Sequence, residues 1–441
     1  MAEVVGCGCA PTVRRRRGWR RPGSVFPLEA IIVSTATAPA ALPPLSLAEL
    51  DATPGLVEPD GALGDVPALL ARVHESGIEP TLRPRLWLHL LGVVPWRASA
   101  VRLATLRAKR AHAYAAALAL WAADDEAGAL GACAHGSVAK YHRIIAVDVP
   151  RTDRALDRWR APESLAPLRR VLLSACALSS APGYFQGMND LAAVLLDALG
   201  GDEADAFASF VALLHGKLAL SFEDEQRGIW RQAAAVVGAL RAIDPPLHAA
   251  LGAAGAIGDN GECLVLFQPI FLALKREIGT GPKGDYEGVC RAWETWWAAA
   301  DPLAPSGRAT SGRTNCGCAH YELVLILAFL ELHRAAIRSN RQGVAGLTKL
   351  LNGGGAGAID PRELLRYARA IHTALWEFAD RRGARGGGGG GGSGGGDSAG
   401  GSVHAILTSQ RLVVASSPYS TPPAVRSSTD APTLLDAALS A

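Results

Sequence analysis

Apolar residues recur at three- and four-residue spacing through the middle of the chain, and that period predicts helices. Leu165, Leu168, Val171, Leu172 and Cys176 form one such stripe, Val236, Val237, Leu240 and Ile243 a second, and Leu364, Leu365, Ala368, Ile371 and Leu375 a third. The third has a start signal: Asp360 as N-cap, Pro361 at the first helical position and Glu363 three residues after the cap. Pro95, Pro162, Pro182, Gly200-Gly201 and Pro245-Pro246 separate the helical stretches. No segment alternates with the two-residue period of a half-buried strand. The fold class read from this pattern is all-α, a single multi-helix domain over 66–378.

The flanks lack the period. Residues 1–60 are rich in Arg, Pro and Ala and read as a flexible N-terminal segment. Residues 301–318 are polar and Gly/Ser-bearing, as an insertion would be, and 353–358 reads as a Gly/Ala turn. From Gly386 to Gly401 the chain is nearly pure glycine, which buries no core, so 386–441 is expected to be a linker and disordered tail. The best apolar run, Leu323 to Leu330, is about half of the roughly 20 residues that span a bilayer.

Composition narrows the function classes. Among 441 residues, 49% are hydrophobic and 19% charged, which suits a folded core. The net charge is +3, yet Arg14, Arg15, Arg16, Arg17, Arg20 and Arg21 face only Glu3 within residues 1–24. The remaining body is close to neutral, which argues against nucleic acid as the main partner. The segment 14–21 is a candidate for peripheral contact with an anionic membrane, against the plainer reading of a solvated basic tail. An organelle transit peptide is disfavoured, because arginine replaces lysine along the whole chain. Eight cysteines without a secretory signal suit reduced thiols and a cytoplasmic protein, peripheral on endomembranes at most. Cys7-Gly-Cys9 and Cys316-Gly-Cys318, with His320 nearby, lack the two-residue spacing of zinc ligands and read as loop cysteines.

Two short segments carry candidate chemistry. In Ile145-Ala-Val-Asp148-Val-Pro-Arg151-Thr152, Pro150 fixes its own φ and biases Val149 toward extended backbone, so Arg151 is expected on a stiff turn. Asp148, three residues earlier, is positioned to hold the guanidinium by charge-assisted hydrogen bonds. In Tyr184-Phe-Gln186-Gly187-Met188-Asn189-Asp190, the glutamine precedes the apolar run Leu191–Leu199, with Asn189 or Asp190 as the expected helix cap. Taken singly, an arginine near a carboxylate is ordinarily a surface ion pair, and a glutamine before a helix a local backbone partner. Together, an arginine and an amide on two short turns make a pair able to stabilise developing charge and orient a water.

With these segments the chain resembles the TBC domain family, the Rab GTPase-activating module. The family signatures I-x-x-D-x-x-R and Y-x-Q-G stand intact, and R-x-x-x-W-x-x-L-L-G matches Arg83 to Gly92 through Trp87, Leu90 and Leu91, preceded by Gly77-Ile78. Ser221 to Gly228, Leu272-Ala-Leu-Lys275-Arg276-Glu277 and Arg291-Ala-Trp293-Glu294-Thr-Trp296 resemble later family segments in the same order. One departure is Phe267-Gln268-Pro269, where the family usually carries an Arg-Trp pair before the K-R-E run.

The resemblance implies an enzyme activator that supplies catalytic residues in trans to a GTP-bound Rab-family GTPase in vesicle trafficking. Arg151 corresponds to the arginine finger and Gln186 to the glutamine finger. Ile145 and Asp148 would support the first, Tyr184 and Gly187 the second, while Arg83 and Trp87 would brace the N-terminal helices. No cofactor or metal of its own is expected, since the chain has no G-x-x-x-x-G-K-[ST] loop and GTP with Mg²⁺ would arrive on the partner. The alternative is a catalytically silent Rab-binding or scaffold module of the same family, which would be free to lose both fingers.

Overall fold

Side-chain caps or prolines start several of the longer helices. The computed structural model describes residues 42–178, 183–223, 226–281, 283–305, 317–352, 359–386 and 398–408. Its longer helices are α1 (Val66–Ser76), α2 (Arg83–Leu90), α3 (Ala100–Ala119), α4 (Val138–Asp148), α5 (Pro162–Ala177), α6 (Met188–Ala198), α7 (Glu203–His215), α8 (Arg227–Ile243), α9 (Pro245–Ala253), α10 (Glu287–Ala299), α11 (Tyr321–Leu332), α12 (Gly343–Leu351), α13 (Pro361–Gly386) and α14 (Ser398–Thr408). Asp65, Ser99, Asp202 and Asp244 accept backbone N–H bonds at the starts of α1, α3, α7 and α9. Among the described residues there is no strand, only isolated bridges such as Leu45 with Ile78. The all-α reading holds.

Two helices form the centre. From Met188 to Leu196 every residue of α6 is buried, and in α11 the same is true from Tyr321 to Glu331. A helix that is apolar all round needs neighbours on every side. The run Leu323–Leu330 is therefore the middle of a core helix, and no helix among the described residues is long and apolar enough to cross a membrane.

The N-terminal half is locked to α10 through one carboxylate. Glu294 is fully buried; its Oε1 accepts from Arg83 Nε (2.7 Å) and Trp87 Nε1 (3.0 Å), and its Oε2 from the Ile78 amide (3.0 Å). Burial raises the Glu294 pKa above the usual carboxylate range, against the pull of Arg83. Gly77 lies at φ +79°, and a Cβ there would come within 2.4 Å of Arg291 Cδ and 2.8 Å of Glu294 Oε2. The Trp87 ring meets Trp297 edge-on at 4.8 Å, which closes the joint with apolar surface.

Both expected flexible flanks contain ordered, packed segments. Within 1–60, residues from 42 onward belong to the domain: Leu45 and Leu50 are fully buried, and Arg72 holds Glu49 by two hydrogen bonds of 2.7 Å. Within 386–441, α14 packs against α8, α11 and α13 with Val403 and Ile406 fully buried. Its end is received by the segment before α11. The Ala319 and His320 amides donate to Leu407 and Ile406 carbonyls (3.1 and 3.0 Å), and the Cys318 thiol donates to Ile406 O (3.4 Å). Gly386 closes α13 and Ser398 to Gly401 open α14, so both ends of the glycine-rich stretch, expected to be linker, are helical. The domain thus runs beyond 66–378 at both ends. The Arg14–Arg21 segment, Cys7, Cys9, Cys316, most of the 301–318 stretch and all of 353–358 lie outside the described residues.

Two predictions follow from this packing. Val403, Ile406 and Leu407 each contribute about 1.5–3 kcal/mol by burial, so a chain ending at residue 386 should melt roughly 5 °C or more below one ending at 410. Equal melting temperatures would remove α14 from the folding unit. The second concerns three buried histidines. Burial lowers the pKa of His74 to about 3 and of His89 and His372 to about 4. These groups stay neutral in the folded chain but take up protons below about pH 6.5 once unfolded, so stability is full above that pH and falls as pH drops toward 3–4. At pH 5 each fully buried histidine withdraws about 2 kcal/mol. His372→Gln, which can still accept from Trp376 Nε1, should flatten the fall in melting temperature between pH 7 and 5; an unchanged slope would exclude His372 as a contributor.

Candidate functional site

The first motif ends α4 and turns sharply. Val149 to Arg151 form one 3₁₀ turn, and Val149, expected to be extended, is helical (φ −54°, ψ −48°). Its carbonyl accepts from Thr152 N at 3.1 Å, so the helix tightens rather than breaks before Arg151. Ile145 anchors the turn from below and is fully buried.

Asp148 does not hold Arg151. It is buried, and its Oδ2 accepts the Tyr184 hydroxyl at 2.8 Å. Burial, then the hydrogen bond and the charge of Asp148, push the Tyr184 pKa up and keep the hydroxyl protonated. Local spacing put the arginine in reach, but a carboxylate facing inward is satisfied by the donor that is buried with it. Tyr184 is itself shared with Asn189 Oδ1 (3.2 Å), and Asn189 Nδ2 donates to Thr152 Oγ1 (2.9 Å). Asp148, Tyr184, Asn189 and Thr152 thus stitch the two motifs side by side.

The second motif turns into α6 through Gly187, which takes the N-cap position expected of Asn189 or Asp190. Its φ of +105° is in the left-handed region, and a Cβ would crowd Leu272 Cδ2 at 3.1 Å and Phe271 Cε1 at 3.4 Å. Glycine alone allows the chain to pass there. Asn189 and Asp190 instead occupy the first turn of α6, both buried, where they serve the network.

A second, ionic clamp lies beside the first. Lys275 Nζ, buried, reaches Asp153 at 2.7 and 2.6 Å and Asp190 at 3.1 Å. One cation therefore ties the residue two after Arg151 to the residue four after Gln186. Arg276 Nε adds a 2.7 Å bond to Asp190, and the Tyr286 hydroxyl donates to Asp153. Lys275 is delivered by Ala273 and Leu274, both at positive φ (47° and 60°), a backbone geometry that L-residues resist and that packing must impose. Trp293 Nε1 donates to Ala273 O at 3.0 Å and holds the strained turn. Next to it Gln268 Nε2 donates to Glu277 Oε1 (2.9 Å). Gln268, in the segment that departs from the expected Arg-Trp pair, thus gives Glu277 a neutral donor, and burial raises the Glu277 pKa.

Above both clamps, Arg151 and Gln186 are exposed, and neither has a hydrogen-bond or ion-pair partner among the described residues. Two loops fixed from beneath offer a cation and a primary amide to solvent. Such a pair can neutralise charge on an external ligand and orient a water beside it. Thr152, Asp153, Lys275 and Tyr286 were not read as site residues in the sequence. The signal for part of this was present: Asn189 and Asp190 open a helix otherwise apolar to Leu196, and buried polar groups demand partners.

Comparison with known proteins gives a consistent picture. Residues 80–257 match the family model for the Rab-GTPase-TBC domain. The chain is 32% identical over 247 residues to TBC1 domain family member 17 of Mus musculus, covering 55% of this chain and 35% of that protein. It is 22% identical over 299 residues to GTPase-activating protein gyp7 of Schizosaccharomyces pombe, covering 65% and 36%. The fold is similar to the crystal structure of the Ypt/Rab-GAP domain of Gyp1p, with a TM-score of 0.55 at 18% identity over 72% of this chain and 94% of that chain. The matched region spans about a third of the length of these curated relatives.

The clamps generate a stability prediction. Tyr184→Phe strips a buried carboxylate of its donor and should cost about 1–3 kcal/mol. Lys275→Met leaves Asp153 and Asp190 facing each other without their shared cation and should cost about 3–5 kcal/mol. Chemical denaturation of the two variants beside wild type reads both values. Wild-type stability in Lys275→Met would mean that the ion pairs do not hold the loops.

Proposed function

We propose that this chain, whose residues 80–257 match the Rab-GTPase-TBC domain model, is a GTPase-activating protein that works on a GTP-loaded Rab-family GTPase with two residues supplied in trans. Arg151 places its guanidinium against the transferring phosphoryl group and neutralises charge as the bond to the leaving phosphate breaks. Gln186 presents its amide to the attacking water, accepting one of its hydrogens through the carbonyl oxygen while the amide N–H donates toward the phosphoryl oxygens. Nucleotide and Mg²⁺ belong to the GTPase, and this chain contributes neither. Asp148, Tyr184, Asn189 and Thr152 keep the two loops in register, and Gly187 lets the second loop turn beneath Gln186.

The observation that supports this reading is the contrast between two exposed side chains with no partner among the described residues and the hydrogen-bonded, buried residues beneath them. A surface arginine with a structural duty would be paired. The amide of a helix-start glutamine with such a duty would return to the backbone.

The test is single-turnover GTP hydrolysis by a panel of Rab-family GTPases in the presence of the full chain. Wild type should accelerate at least one of them. Arg151→Ala should lower that acceleration by on the order of 10³-fold or more with the melting temperature unchanged, and Gln186→Ala should lower it comparably. Arg151→Lys should restore little, since a compact ammonium lacks the planar fork of a guanidinium. Full activity in Arg151→Ala removes the assigned role. GTP-dependent binding with no acceleration by wild type would instead favour the silent docking module.

A further inference from the structure

Few large apolar side chains are exposed among the described residues, and two of them stand together beside Arg151. Ile144 is 43% exposed and Val147 48%, on α4 at seven and four residues before Arg151. With Lys140, four residues before Ile144, these positions repeat at the spacing that puts side chains on one helical face. The opposite face of α4 is the buried one, through Val138, Ile145 and Asp148. The amphipathic pattern is therefore complete without Ile144 and Val147, and their apolar surface is surplus to folding.

The stripe is continuous with the site. At one end it runs into the 3₁₀ turn that carries Arg151. Along its flank the Tyr141 ring lies against Gly183, three residues before Gln186, so close that a Cβ on Gly183 would approach Tyr141 Cε2 at 2.7 Å. The exposed charges that α4 and its 3₁₀ turn bring to this face have one sign. Lys140, Arg143 and Arg151 are exposed, Arg143 has no ion-pair partner among the described residues, and the one carboxylate between 138 and 151, Asp148, is buried under Tyr184.

We infer that the α4 face of Lys140, Arg143, Ile144 and Val147 is the docking surface for the GTPase, seating an apolar patch of the partner on Ile144 and Val147 within a cationic rim that faces carboxylates and the nucleotide phosphates. This rests on the proposed GTPase-activating role and names the surface that such a role uses. Apolar centre and charged rim divide the work. The centre, closed from water in the complex, sets how long the complex lasts, whereas the rim sets how fast it forms and makes that rate salt-dependent.

The experiment uses the full chain, a GTPase that the wild type activates, and the variants Ile144→Asp/Val147→Asp and Arg143→Glu. Both sites are exposed, so the variants should melt with wild type. The double variant should lose roughly 30-fold or more in kcat/KM, mainly through KM, because a carboxylate pair at the centre of the contact must be desolvated. Arg143→Glu should lose roughly 10-fold at low salt, and the gap should close as ionic strength rises. Arg151→Ala, in contrast, should lose kcat while binding of a GTPase loaded with a non-hydrolysable GTP analogue survives. An active wild type whose Asp and Glu variants keep full kcat/KM overturns the surface alone. So does a result in which these variants lose only binding to anionic vesicles and keep turnover. A wild type inert on every GTPase and without GTP-dependent binding overturns the functional reading and the surface with it.

Discussion

The hydroxyl of Tyr184 donating to Asp148 at 2.8 Å is the bond on which the site depends. A buried carboxylate without donors is costly, and the cheapest nearby donor in sequence would have been Arg151. Had Asp148 taken that guanidinium, the arginine would be an internal ion-pair partner, bent inward and unavailable to any ligand. Tyr184 instead satisfies Asp148 from the neighbouring loop. The same bond therefore does two things: it fixes the spacing of the loops and it frees Arg151. Thr152 and Asn189 extend the network by one step on each side, so the register is specified by several short bonds that must all form together.

Lys275 supplies what the neutral network lacks, charge compensation for Asp153 and Asp190. Buried ions contribute little net stability when paired and cost a great deal when unpaired, so their main effect is to disallow alternative arrangements. The strained residues Ala273 and Leu274 persist because Lys275 on one side and the Trp293 indole on the other both require that turn. Trp293 in turn sits beside Glu294 in α10, the carboxylate that holds Arg83 and Trp87. A single helix thus braces the N-terminal half with one residue and the site turn with its neighbour.

How much of this was legible in the sequence follows from the range of the forces involved. Helical periods, proline breaks and the Asp360-Pro361 start are local, and they gave the all-α class. The motif segments were also visible, because residue identity in a fixed order needs no third dimension. Partners were not. Asp148 was assigned to Arg151 by spacing, yet Tyr184, thirty-six positions on, won the bond because both are buried in the same place. The cap was assigned to Asn189 or Asp190 by propensity, yet the approach of Phe271 and Leu272 requires glycine at the turn. The helix α14 was missed for the same reason. Its first residues include Gly400 and Gly401, poor helix formers beside a glycine run, and its stability comes from the surface of α8 and α11 that it covers.

The state of Arg151 before any partner arrives carries the energetic argument furthest. A catalytic group borrowed from another protein has to leave its resting contacts to reach the ligand, and each contact broken subtracts from the stabilisation it can offer. An arginine resting in a charge-assisted pair would lose about 1.5–3 kcal/mol of hydrogen bonding on departure. Under the proposed reading, Arg151 has no such contact among the described residues to break, and its loop is already held by bonds made elsewhere. The remaining costs are desolvation of the guanidinium and the freezing of its rotamers. The first is offset by the opposite charge of the phosphates, and the second is softened because the planar fork is preorganised on its stem. Binding the donor loop tightly to itself while leaving the donated side chain unbound is how a rigid fold keeps a group ready for a site that it does not contain.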